Sequence, residues 1–233
     1  MKNMKRTLAF LLTCVLLLTP FATIPVFAEE GNGPVVTIID AGHGGEDGGA
    51  VSTMNKNICE SHLNLAISLR IHDLLRFAGQ PTLMTRTEDV SIHTEGDTIK
   101  ARKASDIRNR VALVNDTKGA VLLSIHQNSL PSSPITHGAQ VFWNQHDHSE
   151  SLALFIQDSL NKTVNSEKPK HPRQIPKTIY LMNHIDTPAV LVECGFLSNS
   201  EETLKLQEAS YQTKLATAIA TGYLRCMSGE EVP

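Results

Sequence analysis

The sequence predicts a single α/β domain, built on a mostly parallel central sheet of about six strands with helices on both faces. Short apolar, β-branched segments of strand length recur along the chain, and segments with helical spacing of apolar residues separate them. Such alternation is typical of parallel sheets that are covered on both faces. The length of 233 residues and the hydrophobic share of 41% favour one domain with a substantial core.

The first half of the chain contains two predicted strands and two predicted helices. Residues 35–39 form a continuous apolar run, as expected for a buried parallel strand. A glycine-rich loop follows, and then a helix from about Ile58. Residues 81–85 are the next predicted strand. A polar loop is predicted over residues 86–103, with Ser105 as the N-cap of the second helix.

The second half continues the alternation. Strands are predicted over residues 120–125, 138–143, 178–182 and 189–193. Helices are predicted around residues 152–160, 201–207 and 210–226. Residues 168–176 hold three prolines among basic residues and are predicted to be a loop. The catalytic-size domain is therefore expected to span residues 35–226, with a C-terminal tail over 227–233.

Residues 1–28 have the pattern of a secretory signal peptide. Three positive charges precede a short apolar segment over residues 8–18, and residues 26–28 provide a small-x-small cleavage pattern. An uncleaved anchor is the alternative, although the apolar segment is short for a membrane span and Pro20 interrupts it. In either case the domain, after a linker over residues 29–34, is expected to work outside the cytoplasm.

Charge and cysteine content exclude two classes of protein. The signal segment holds three of the 21 basic residues and none of the 24 acidic ones, so the remaining chain carries a net charge of −6. This argues against a nucleic-acid partner, which requires a basic surface. The remaining cysteines are Cys59, Cys194 and Cys226, an odd number without CxxC spacing. They predict neither a disulfide framework nor a zinc ribbon.

Three charged side chains stand at or just beyond the ends of predicted strands: His43, His126 and Glu193. Ligands of open α/β sheets bind beyond the carboxyl ends of the strands, so these side chains are expected to converge. Two histidines and a carboxylate are typical zinc ligands that leave a fourth position for water. A second carboxylate is then needed to accept and return a proton. Glu60 and Glu193 are the two candidate carboxylates.

Each of these residues also has an ordinary structural interpretation. Glu60 follows Asn57 by three residues and could close a capping box at a helix start. His43 could bond to its own backbone in the glycine loop, and His126 could be a satisfied strand-end histidine. Glu193 is hardest to explain in this way, because an acid at the end of an apolar strand is costly unless it is paired, metal-bound or functional.

Three segments resemble the motifs of the zinc-dependent N-acetylmuramoyl-L-alanine amidases (amidase type 3). Residues 40–50, DAGHGGEDGGA, resemble the opening motif. Residues 124–128, SIHQN, resemble the second histidine motif, and residues 188–199, PAVLVECGFLSN, resemble the closing one. The resemblance spans residues 35–226. It implies a hydrolase that cleaves the amide bond between N-acetylmuramic acid and L-alanine in peptidoglycan.

The same resemblance implies a role for individual residues. His43, Glu60 and His126 would hold Zn²⁺, and Glu193 would be the catalytic carboxylate. Asp40 is a candidate to orient His43 from outside the ligand set, or to cap the loop.

Two further positions are singled out. Asn128 is a candidate for a hydrogen bond to substrate or within its loop. Cys194 departs from the family, in which valine or glycine is more usual, and it is expected to be an inert core thiol; an oxidation-sensitive thiol is the alternative.

Within the family, residues 128–132 and 138–142 are similar to the sporulation-associated members that act on the spore cortex. In that subgroup, removal of the stem peptide prepares muramic-δ-lactam, which is recognised at germination. This implies a location between forespore and mother cell. The need for an activating partner protein and the oligomeric state are left open.

Three alternatives remain at this point. A zinc peptidase could cut within the stem peptide with the same residues. A wall-binding or regulatory protein could retain an inactive metal site, and a structural zinc site would have four protein ligands. A Ser-His-Asp triad is disfavoured because Ser124 lies two residues from His126 on one strand and there is no GxSxG motif.

Overall fold

The computed structural model describes residues 34–233, so the predicted signal peptide and most of the predicted linker lie outside the described residues. Within this range the strands are Val36–Ala41 (β1), Thr82–Met84 (β2), Ala120–Asn128 (β3), Gln140–Trp143 (β4), Arg173–Gln174 (β5) and Ala189–Phe196 (β6). The helices are Glu60–Phe77 (α1), Ile99–Asn115 (α2), Ser149–Thr163 (α3), Tyr180–His184 (α4), Ser200–Gln207 (α5) and Ala209–Met227 (α6). None of the helices described is long and apolar enough to cross a membrane.

The strands form one six-stranded sheet in the order β2-β1-β3-β6-β4-β5. The strands β2, β1, β3 and β6 are parallel, and β4 runs antiparallel to β6. The predicted single α/β domain with a mostly parallel sheet of about six strands is thereby confirmed. The carboxyl ends of β1, β3 and β6 are neighbours at one edge of the sheet, where parallel α/β folds bind their ligands.

Both faces of the sheet are buried by helices, because neighbouring residues of each strand point to opposite sides. On one face, Ile39 and Leu123 belong to the larger core cluster, with side chains of α1, α3 and α6. On the other face, Ile38 and Leu122 pack in a second cluster with Val114 of α2 and residues of α4. This double covering explains why the strands of the sequence are apolar runs rather than alternating patterns.

The predicted start of the second helix was wrong. Helix α2 begins at Ile99, and the hydroxyl of Thr98 caps it by accepting a hydrogen bond from the Ala101 amide at 3.2 Å. Ser105 is a buried residue inside the helix, where its hydroxyl accepts hydrogen bonds from loop amides. The sequence predicts a loop over the first turns because they face solvent and carry no apolar period.

The predicted strand over residues 178–182 was also wrong. Helix α4, Tyr180–His184, occupies most of this segment, with Leu181 and Met182 buried against the face that α2 covers. A short apolar run does not distinguish a strand from a buried helical turn. The sixth strand is instead β5, a two-residue exposed strand inside the proline-containing segment that was predicted to be loop.

Candidate metal centre

Four of the predicted site residues meet at the carboxyl edge of the parallel strands. His43 lies in the loop two residues after β1, and Glu60 is the first residue of α1. His126 and Glu193 belong to β3 and β6 and are direct partners in the register of these two strands. The side chains of His43, His126 and Glu193 therefore meet as strand order predicts, and Glu60 at the start of α1 lies with them.

Three of these residues place their donor atoms together. One donor atom each from His43, Glu60 and His126 lies within 4.8 Å of the others. The Glu60 carboxylate stands between the imidazoles, with Oε2 3.3 Å from His43 Nε2 and Oε1 2.8 Å from His126 Nδ1. In residues 34–233, this is the one group of at least three His, Cys, Asp or Glu side chains with such spacing. Two imidazoles and a carboxylate match the donor set that Zn²⁺ prefers.

Glu60 is held in place by its backbone surroundings. It is 4% exposed, and its carboxylate accepts hydrogen bonds from the amides of Ala50 at 2.8 Å and Gln127 at 3.1 Å. Burial opposes ionisation, but hydrogen bonds from His126 and His43 outweigh it and hold the pKa of Glu60 far below its usual range. Glu60 therefore carries a full negative charge in a buried position.

The capping-box interpretation of Glu60 was wrong. The N-cap residue of α1 is Cys59, whose side chain makes no capping hydrogen bond. The carboxylate of Glu60 points toward the two histidines instead of back to the helix start. Glu60 therefore belongs to the donor group and does not cap the helix.

His43 is oriented by Asp47, a residue that the sequence reasoning missed. Asp47 Oδ2 lies 2.9 Å from His43 Nδ1, and Asp47 Oδ1 lies 2.6 Å from Nζ of Lys103. This leaves Nε2 of His43 directed at Glu60. Burial lowers the pKa of His43, but its hydrogen bonds to Asp47 and Glu60 raise it to about 10. The available signal was an acidic residue four positions after the histidine in a glycine-rich loop.

Asp40 has a different role from orienting the imidazole. It is 1% exposed, and Oδ1 accepts hydrogen bonds from Arg110 at 2.5 Å and from Thr85 at 3.0 Å. Its Oδ2 accepts one from Ser124 at 2.7 Å. Burial opposes its ionisation, yet Arg110 holds the pKa of Asp40 below its usual value. Asp40 thus forms a buried ion pair beneath the loop that carries His43.

Two glycines allow the donors to approach. A Cβ atom at Gly42 would lie 2.3 Å from the imidazole of His126. Gly49 has a φ of +67°, and a Cβ there would lie 2.6 Å from Glu60 Oε2 and 2.7 Å from the His43 ring. These glycines are therefore required by the close contact between loop and donor side chains.

Glu193 lies beside the group without joining it. Its Oε2 is buried and has no hydrogen-bond partner. Burial raises the pKa of Glu193 to about 7, and Glu60 adds to this while His126 and His43 oppose it. A carboxylate with this pKa can both take up and release a proton near neutral pH.

A cavity of about 360 Å³ opens over these four residues. Its walls include the polar side chains of Lys103 and Asp106 and the apolar residues Ile107, Ile179 and Leu181. A three-donor group in an open cavity, next to a fourth carboxylate, differs from the closed four-ligand arrangement of a structural zinc site.

The two remaining candidates lie outside the set of residues that lines the cavity. Asn128 Oδ1 accepts a hydrogen bond from the Ser129 amide at 2.8 Å, which is the loop contact considered for it. Cys194 is fully buried, and burial raises the pKa of its thiol well above the usual value. A buried protonated thiol is a poor nucleophile, as expected of an inert core cysteine.

Comparison with known proteins bears directly on this site. The model of the N-acetylmuramoyl-L-alanine amidase family matches residues 37–225, which include all four converging residues. The germination-specific N-acetylmuramoyl-L-alanine amidase of Bacillus subtilis is 35% identical over 191 residues, or 82% of this chain and 78% of that protein.

Solved structures agree with the sequence match. The CwlD amidase from Clostridioides difficile, in complex with the GerS lipoprotein, has a TM-score of 0.79 at 32% identity, covering 83% of this chain and 98% of that one. An N-acetylmuramoyl-L-alanine amidase from Clostridium difficile 630 has a TM-score of 0.72 at 26% identity, covering 84% and 98%. The resemblance and the enzyme class predicted from the motifs are confirmed: the chain is an enzyme that belongs to the N-acetylmuramoyl-L-alanine amidase family.

Proposed function

We propose that the protein hydrolyses the bond between N-acetylmuramic acid and L-alanine in peptidoglycan with a zinc ion held by His43, Glu60 and His126. The donor set fits this ion: a buried, ionised carboxylate stands between two imidazoles whose nitrogens point at it. A bound zinc ion would supply Lewis acidity to the scissile carbonyl and to the attacking water. Asp47 would hold the His43 ring in the required orientation.

Glu193 is proposed as the general base and acid. The observation that carries this role is its buried, unpartnered Oε2 beside the three donors, since an unpaired buried carboxylate is costly unless it has a function. In the proposed reaction, Glu193 takes a proton from the attacking water and then delivers it to the departing L-alanine nitrogen. Its register pairing with His126 across β3 and β6 sets Glu193 next to one of the proposed zinc ligands.

The biological setting is proposed from the relatives. One relative is named germination-specific, which supports the predicted role in spore cortex maturation, with muramic-δ-lactam as the eventual product. With that role and the predicted export, we propose that the protein works outside the cytoplasm, between forespore and mother cell. The sequence leaves the need for an activating partner protein open; the C. difficile relative was solved in complex with a lipoprotein, which supports such a partner here.

Mass spectrometry of digested peptidoglycan tests the reaction. The purified protein with added zinc should release intact stem peptides that begin with L-alanine, and Glu193→Gln should release them at least about 100-fold more slowly. A matched control is Glu201→Gln, which makes the same chemical change at an exposed position on α5 and should behave as wild type.

The outcomes separate the remaining possibilities. Peptides cut at internal bonds would identify a peptidase instead. If wild type and Glu201→Gln release no peptide, with zinc bound and with candidate partners supplied, a wall-binding protein would be favoured. Spores that lack the gene and still contain normal muramic-δ-lactam would contradict the cortex role.

A further inference from the structure

Two buried arginines lie directly behind the loop that carries His43. Arg86 is 3% exposed and Arg110 is 2% exposed, and neither belongs to the three-donor group. Buried arginines are uncommon unless their charge and all their N–H groups find partners. Both bond the backbone carbonyls of residues 41–43. Arg86 also bonds the carbonyls of Ser61 and Glu88, and Arg110 pairs with the carboxylates of Asp40 and Asp106.

Arg86 is satisfied by carbonyl groups rather than by a close carboxylate. Its guanidinium donates to the carbonyl oxygens of Ala41 at 2.9 Å, Gly42 at 3.2 Å and Ser61 at 2.8 Å. The carboxylate of Asp89 is 3.9 Å away. Because Ser61 follows Glu60 in the first turn of α1, this one side chain joins the His43 loop to the segment that presents Glu60.

Arg110 joins the same loop to the strands beneath it. Its guanidinium donates to the carbonyl oxygens of Ala41 at 2.9 Å and His43 at 2.8 Å, and to Oδ1 of Asp40 at 2.5 Å. The other Asp40 oxygen accepts from Ser124 on β3, two residues before His126. A chain of buried contacts thus connects the loop to the strand that carries the second histidine.

The loop needs this support because His43 has a φ of +63°, a left-handed conformation that residues with a side chain seldom adopt. Three consecutive carbonyls, from Ala41 to His43, point into the protein and are bonded by the two guanidinium groups. A planar guanidinium with five donors can bond several fixed carbonyls at once, whereas a lysine ammonium cannot reproduce this geometry.

We propose that Arg86 and Arg110 are positioning residues that hold the backbone of His43 at a set distance from Glu60 and His126, so that the three donors are arranged before a metal binds. This inference rests on the zinc assignment proposed above. The arginines act through the loop backbone and contact none of the donor atoms. Their substitution therefore changes metal affinity and coordination geometry more than it changes the fold.

Zinc affinity, measured by competition with a chromophoric chelator, tests the proposal. Arg86→Lys and Arg110→Lys should each bind zinc about 10- to 100-fold more weakly than wild type, the loss typical when a supporting contact of a ligand is removed. The visible spectrum of the Co²⁺-loaded variants should also change, because it reports coordination geometry. Arg225→Lys is the matched control, since Arg225 pairs with Asp158 and Glu230, at the C-terminal end of α6.

A second control separates positioning from general loss of stability. Ile219→Val removes a methyl group from the core on α6 and should lower the melting temperature without changing zinc affinity or the cobalt spectrum. Zinc binding that is lost in Glu60→Gln but unchanged in both arginine variants would overturn this inference alone. Zinc binding that Glu60→Gln leaves unchanged would overturn the zinc assignment, and the inference with it.

Discussion

Replacing Glu193 with glutamine should stabilise the metal-free protein at pH 8 while removing its hydrolytic activity. In the folded protein, burial raises the pKa of Glu193 from its ordinary 4.5 to about 7. Between these two pH values the folded state holds a proton that the unfolded state has lost. The free energy of unfolding therefore falls as pH rises through this window, and it stays low above the folded pKa.

The size of the effect follows from the same two values. A pKa raised from 4.5 to about 7 corresponds to about 3 kcal/mol of unfolding free energy, at roughly 1.4 kcal/mol for each pH unit. Most of this develops between pH 5 and pH 8. His43, with a pKa of about 10, keeps its charge over this range in the metal-free protein. Glutamine does not titrate, so the unfolding free energy of the variant should not fall in this way as pH rises.

Urea unfolding of chelator-treated protein at both pH values measures the difference. The stability gain of Glu193→Gln over wild type at pH 8 should exceed the gain at pH 5 by about 2 to 3 kcal/mol, or roughly 1 M in the urea midpoint. Any cost of burying the unpaired amide is the same at both pH values and cancels. Equal gains at pH 5 and pH 8 would refute the reasoning, because Glu193 would then not resist ionisation. Activity of the zinc-loaded variant should fall about 10²- to 10⁴-fold.

Three further variants test other parts of the site and the core. Gly42→Ala places a methyl group 2.3 Å from the His126 ring, so it should lower zinc affinity at least about tenfold with an unchanged circular dichroism spectrum; retained affinity would contradict the contact. Asp47→Asn should weaken zinc binding about 10- to 100-fold in chelator competition, because the bonded imidazole loses an ionised acceptor; equal affinity would show that this carboxylate does not tune the site. Tyr223→Phe leaves the buried Thr37 hydroxyl without its 2.6 Å acceptor, so it should cost about 1–2 kcal/mol in urea unfolding with normal activity; lost activity would mean that the effect reaches the site.

The alternation of apolar runs and helical patterns was enough to predict the α/β sheet, since burial on both faces imposes that pattern on the sequence itself. It was not enough for segments whose structure depends on what they contact. Residues 178–182 were predicted to be a strand, yet residues 180–182 belong to α4, because the hydrophobic contact with the face under α2 is compatible with either conformation.

In the candidate site, too, some residues could be predicted from the sequence pattern and others could not. His43, His126 and Glu193 were predicted from strand order, because parallel strands bring their carboxyl ends to one edge whatever the loops do. The role of Glu60 came from a family resemblance, since its position alone suggested a helix cap.

The sequence by itself determined the parallel sheet, the position of the site at the carboxyl ends of its strands, and three of the residues that meet there. Only the tertiary structure decided that Asp47 orients His43 and that Arg86 and Arg110 bind the loop behind it. The reason is physical: periodicity along a chain records which side chains are buried, whereas the bonds of Arg86 and Arg110 to the loop join residues more than 40 positions apart and depend on how loops and helices cross. Asp47 is only four residues from His43, but their contact depends on a loop conformation, with His43 at a φ of +63°, that periodicity does not record either.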